Sequence, residues 1–258
     1  MDTKPQWTKY HTIAHLALIA AIIVLGLFIS NLSRLWAWLI TLGLMVVYIF
    51  VAGHGVTGSI KGTLVDERYK ISLSRLQAIL WTMLILSSFL TAGLYNIAAR
   101  ESDPLSITIP SELWLTMGIS LTSLVGSPLI RSNKKKTQAT QEQWMHTRDV
   151  MSKQGVDTNQ MSTEGVMVVN KSPNKAEWSD LFKGEEIGNA ALLDLGKIQM
   201  FFFTVTLLLA YAFAVGSLMN NTGVIRELPI LSQSQIALLG ISHAGYLVNK
   251  AAPHTNSQ

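Results

Sequence analysis

Leu76–Ala99 reads LQAILWTMLILSSFLTAGLYNIAA, 24 residues without Asp, Glu, Lys or Arg, bounded by Arg75 and Arg100. An α-helix of that length spans roughly 36 Å at about 1.5 Å per residue, enough to cross a hydrocarbon core of about 30 Å. In lipid every backbone N–H and C=O must find a partner within the segment, so a helix is the expected form. Four further stretches share this character: Thr12–Ser30, Leu35–Gly53, Leu113–Ile130 and Gln199–Met219. The composition agrees, with 49% hydrophobic and only 14% charged residues, against about a quarter charged in soluble domains. A sixth candidate, Gln235–Val248, is shorter and follows Pro229 and a Ser-Gln run. The first stretch lacks a clear small-residue cleavage site and a second follows at once, so it reads as a span, not a signal peptide. The expected fold is therefore an all-α, polytopic integral membrane protein of about six transmembrane helices.

The same stretch has an echo. Arg75-Leu76-Gln77 followed by Trp81-Thr82 is matched by Lys197-Ile198-Gln199 followed by Phe203-Thr204. Gly118-Ile119-Ser120 is matched by Gly240-Ile241-Ser242. Both pairs lie 122 positions apart (199 − 77 and 240 − 118). This predicts an internal parallel two-helix repeat, an arrangement that often frames a site at the pseudo-symmetry axis. The chain then divides into an N-terminal transmembrane hairpin at 1–56, a first membrane repeat at 57–130, a cytoplasmic segment at 131–184 and a second membrane repeat at 185–258.

Six spans place 17 Lys and Arg on one side and only Arg34, Arg100 and Arg226 on the other. Positive loops remain cytoplasmic, so both termini are expected inside, in a prokaryotic cytoplasmic (inner) membrane. The net charge of +4 then reflects topology and anionic lipid at the cytoplasmic face, and no nucleic-acid partner is expected. The cytoplasmic segment is read as a helix at Gln138–Lys153, a polar mobile stretch at Gly155–Gly165, a strand at Val166–Val169, and an interfacial turn at Glu177–Phe182. It is short for an independent core and is expected to borrow from Gly53–Arg75 or from other copies.

Two spans are unusually polar. The fourth carries Thr116, Ser120, Thr122 and Ser123; the sixth and its flanks carry Ser242, His243, Tyr246 and Asn249. Such residues either pack helices closely or line a wet path, with Ser120 and Ser242 equivalent. Gln77 and Gln199 lie just inside their spans and are expected to face each other. His243 is the titratable group deep in a repeat span, where such a residue is a functional candidate. Arg75, Lys197, Arg131, Lys134, Lys135 and Lys136 are read as interface residues reaching lipid headgroups. The acidic pairs Asp66-Glu67 and Glu185-Glu186 are expected to pair with Arg75, Lys197 or the Lys134–Lys136 run. Pro128 is expected to bend or end its helix.

The chain has no phosphate loop, no HExxH, no GxSxG and no cysteine, and no span carries a mid-membrane carboxylate. No catalytic residue, cofactor or metal is expected. Two readings stay open: an oligomeric passive channel lined by 113–130 and 235–248, or a non-catalytic anchor or adaptor that engages a cytoplasmic protein partner through 131–194. Homo-oligomerisation is expected of so small a membrane protomer.

Overall fold

The computed structural model describes residues 7–221 and 223–255; residues 1–6 of the N-terminal lead lie outside the described residues. The chain is mostly helical. Helices α1 (Lys9–Leu27), α2 (Arg34–Thr57), α3 (Leu73–Ala98), α4 (Ser111–Lys134) and α6 (Leu195–Asn220) are each long and apolar enough to cross a membrane. Between α4 and α6 lie α5 (Gln141–Lys153) and an antiparallel hairpin of β1 (Met161–Glu164) and β2 (Met167–Asn170). The last helix, α7 (Gln233–Ala251), has 19 residues.

Local chemistry sets several boundaries. Ser33 caps α2 by accepting the Trp36 N–H at 3.4 Å, and Gly58, at φ 72°, closes its other end by donating to His54 O. That left-handed residue suits glycine and explains why α2 extends past Gly53. Asp194 caps α6 by accepting the Lys197 N–H at 3.1 Å. Thr140 caps α5 in the same way, accepting the Gln143 N–H at 3.2 Å. Pro128 does not end α4, which continues to Lys134; the ion pairs made by Arg131 and Lys134 hold its last turn. The expected mobile stretch 155–165 instead contains β1, with Gly165 at φ 59° making the turn.

The chain forms two compact units. Among the described residues, the first takes in 7–63, 78–118 and 205–237. In it α2 packs on α3, with Trp38 Nε1 donating to Ser87 Oγ at 3.1 Å. The Trp81 and Tyr211 rings meet at a tilt of 55°, with centroids 5.8 Å apart. The loops following α3 and α6 are tied by Thr108 N–H to Arg226 O and Leu228 N–H to Thr108 O. Asn96 secures the same junction through both Ile225 backbone groups.

The second unit takes in, among the described residues, 64–77, 119–204 and 238–255. Its small apolar core joins Met151 of α5, Val168 of β2, Ile187 and Ala190. One edge of β2 also meets two other segments, by Asn170 N–H to Arg68 O and by Val168 N–H to Glu185 O. Backbone bonds thus tie the 131–184 segment to Arg68 and to the loop that begins at Glu185.

Candidate functional site

The polar residues of α4 and α7 meet one another within the second unit. Successive positions of α4 (Ser120, Ser123, Ser127) and of α7 (Ser242, His243, Tyr246) recur at helical spacing, which puts each set on one face. All six are at most 3% exposed. Ser123 Oγ and His243 Nδ1 are 2.7 Å apart, and Ser127 Oγ and Tyr246 OH 3.3 Å. Ser74 at the start of α3 joins them, 3.4 Å from Ser127 and 3.5 Å from Tyr246. Ser120 Oγ, Ser242 Oγ and His243 Nε2 are buried without hydrogen-bond partners. Two cavities open in this unit, of about 10 and about 360 Å³, and neither is lined by Ser120, Ser123, Ser242 or His243.

A serine paired with a histidine invites comparison with a nucleophile and its base. That chemistry needs a third group to orient the base and room for a substrate. Here His243 Nε2 has no partner and the pair lines neither cavity. The bond joins α4 to α7.

The other expected lining residues are scattered. Gln77 is fully buried and donates to the Thr204 hydroxyl, with Met200 O at 3.4 Å. Gln199 is exposed, so Gln77 meets Thr204, not Gln199. Thr122 is exposed on α4. Asn249 donates to the helix-capping Asp194 at 2.9 Å.

The basic residues hold the larger surprise. Arg131 and Lys197, expected at lipid phosphates, are only 2% and 3% exposed. They belong to an ion cluster centred on Glu185. That carboxylate lies 3.2 Å from Arg68, 3.2 Å from Lys197 and 2.7 Å from Lys250. Beside it, Asp66 meets Arg68 at 2.7 Å and Arg131 at 3.2 Å, while Glu67 meets Arg131 at 2.5 Å. Lys134 pairs with Glu186 and also donates to Ala252 O at 2.7 Å. Lys135 pairs with Glu164 at 2.6 Å. Of the residues expected at headgroups, Arg75 is half-buried and Lys136 exposed. The corrected positions have a common cause, since a buried carboxylate must be matched by nearby cations.

The electrostatics follow from this packing. Burial alone would raise the Glu185 carboxyl, but Arg68, Lys250, Lys197 and Arg131 override it and hold it well below the usual carboxylate range. Burial likewise opposes ionisation of Asp66, and the Arg68 and Arg131 guanidinium groups bring it down to about 2. Lys70, 3.7 Å from Asp180, is pushed down to about 8 by burial despite that partner.

The acidic pairs pointed toward this cluster, and the Glu185–Lys197 and Glu186–Lys134 pairs match the expectation. Arg68 and Lys250 were missed, because nothing in their local sequence distinguishes a buried cation from a surface one. Among the described residues no group of three or more His, Asp or Glu is placed to hold a metal ion. The cluster gathers three carboxylates (Asp66, Glu67 and Glu185) and four cations (Arg68, Arg131, Lys197 and Lys250) from five parts of the chain. No protein-family model, no curated protein and no solved structure matches this chain.

Proposed function

We propose that the protein is a non-catalytic membrane anchor or adaptor that presents its α5–β2 region to a cytoplasmic protein partner. The observation that carries this reading is the burial of Ser120, Ser123 and Ser127 on α4 and of Ser242, His243 and Tyr246 on α7, with Ser123–His243 and Ser127–Tyr246 bonded across the helix pair. Groups that lined a conducting path would face water.

In this reading the membrane part has six spans, with α7 as the sixth. Its 19 residues reach roughly 28 Å at about 1.5 Å per residue. Two parallel two-helix repeats build the core. Their support is now in the helix starts as well as the sequence: Leu195 lies 122 positions after Leu73 (195 − 73), and Gln233 lies 122 after Ser111 (233 − 111). Helices α3 and α6 are also of equal length, at 26 residues each. The excess of Lys and Arg in the 131–198 segment and the other loops on its side supports a cytoplasmic location for them and for both termini. The ion cluster gives the anchor its rigidity, since it fixes the ends of α4, α6 and α7 against the loop after α2.

The competing reading is a passive channel, for which exposed Thr122 and Gln199 remain lining candidates between copies. Reconstitution decides between them. Proteoliposomes under potassium, chloride and small-solute gradients are expected to leak no faster than protein-free vesicles. Protein-dependent flux that scales with the amount reconstituted would support the channel and contradict the anchor.

A further inference from the structure

One helix face is covered in the first repeat and bare in the second. On α3 a seam runs through Gln77, Leu80, Leu84, Ser87 and Thr91, at alternating spacings of three and four residues. Leu84, Ser87 and Thr91 are at most 5% exposed. Helix α2 covers this part of the seam, with Trp38 bonded to Ser87 at 3.1 Å and Thr41 3.5 Å from Thr91. The positions 122 residues later on α6 are Gln199, Phe202, Thr206, Leu209 and Phe213. Every one is exposed, with Phe202 at 63%, Leu209 at 55% and Phe213 at 78%.

The alternating spacing is that of a left-handed helix pair, in which each seam residue seats against the facing helix. The bare seam also carries two polar groups, Gln199 and Thr206. Amides and hydroxyls in a membrane helix gain from bonding across to a neighbour and gain nothing from lipid tails. Cavities of about 550 and about 280 Å³ open along the seam itself: Leu209 borders both, Phe213 and Gly216 border the larger, α2 lines each, and α3 also lines the smaller through Leu80, Met83 and Leu84. They leave room for side chains arriving from a partner.

We propose that this α6 face is where a second copy of the chain packs, α6 against α6, about a two-fold axis along the membrane normal. In such an isologous contact each seam residue meets its own counterpart. An amide both donates and accepts, so Gln199 satisfies Gln199 of the other copy, and Thr206 does the same through its hydroxyl. A foreign helix would have to bring matching polar groups at both positions; a second copy brings them by symmetry. The comparison of α3 with α6 rests on the repeat in the proposed function, but not on the choice between anchor and channel.

The chain lacks cysteine, so single substitutions report cleanly. Thr206→Cys and Leu209→Cys in native membranes, treated with a mild oxidant, are expected to give a covalent homodimer. Its yield should exceed that of Leu16→Cys and Ile23→Cys several-fold. Both control positions are exposed on α1, at 62% and 59%. Gln199→Leu should reduce the Thr206 cross-link, and Gln199→Asn should largely preserve it. Equal yields on α1 and α6, no dimer at either α6 site, or mass-spectrometric identification of a different protein in the adduct would each overturn the proposal. A Thr206 cross-link unchanged by Gln199→Leu would also overturn it, since the amide pair is its basis. Proteoliposome flux is independent of these outcomes, so this interface can fail while the anchor reading stands, and the reverse.

Discussion

Glu185→Ala is expected to cost about 3–5 kcal/mol of stability, the range for breaking a buried ion pair from one side. The carboxylate is 7% exposed and is contacted by Arg68, Lys197 and Lys250. Its loss leaves those cations in a poorly solvated site with only Asp66 and Glu67 to balance them and Arg131. Glu185→Gln should be nearly as damaging, because it keeps the shape and loses the charge. Pairing Glu185→Gln with Lys250→Met should destabilise less than the two single changes added together, as expected for groups in direct contact. Thermal unfolding of the purified protein in detergent measures all of these. A Glu185→Ala protein as stable as the parent would show that the cluster does not hold the fold.

The same carboxylates set an acid limit. Both Glu185 and Asp66 have folded pKa values below their unfolded ones of 4.5 and 3.8. Their stabilising contribution is therefore complete above those unfolded values. It is lost as pH falls through them toward the folded values, about 2 for Asp66. Lys70 acts in the opposite sense. Its folded pKa of about 8 is below its unfolded 10.5, so the cost of burying its charge is present at neutral pH and is relieved between those two values.

Gly188→Ala should release the end of the chain. The Gly188 N–H donates to Thr255 Oγ1 at 3.0 Å, and a Cβ on this glycine would overlap the His254 carbonyl. That obstacle is backbone, so no side-chain rotation relieves it. The 252–255 segment would have to leave, taking with it the Lys134 bond to Ala252 O and the Glu186 bond to the His254 N–H. Overpacking of this kind costs about 1–3 kcal/mol, and the larger readout is local. Hydrogen exchange at 252–255 should rise strongly in the variant, while α3 stays protected. Unchanged exchange in that segment would mean that the chain end is not seated as described.

Much of the fold was legible because lipid imposes simple rules. Charge-free stretches of sufficient length marked α1, α2, α3, α4 and α6, and the errors fell at their ends. Gly58 carried α2 further than composition suggested, and α4 ran through Pro128 because Arg131 and Lys134 are held beyond it. The α7 helix was harder to read, since its polar residues lower its hydropathy while serving to pack it. The site was legible by residue type but not by partner. Ser120, Ser123, Ser242 and His243 stood out at once as polar groups in apolar surroundings. That His243 bonds Ser123, and that Gln77 takes Thr204 over Gln199, depends on helix rotation, which a tripeptide match does not encode. The ion cluster was least legible. Asp66, Arg131, Glu185, Lys197 and Lys250 are spread along most of the chain, and a lysine bound for a buried carboxylate looks the same in sequence as one bound for a phosphate.

Thiol accessibility on this cysteine-free chain decides whether the polar faces of α4 and α7 are dry packing surfaces. Ser120→Cys and Ser242→Cys would be challenged in intact vesicles with a membrane-impermeant maleimide, with Met145→Cys on the exposed part of α5 as the positive control and Ile22→Cys on α1 as the lipid-side control. Met145→Cys is expected to label in the folded protein once its side of the vesicle is reached. Ser120→Cys and Ser242→Cys should remain as silent as Ile22→Cys until the protein is unfolded. Rapid labelling at Ser120→Cys and Ser242→Cys in the folded protein would mean that water reaches these faces and that they are not dry packing surfaces.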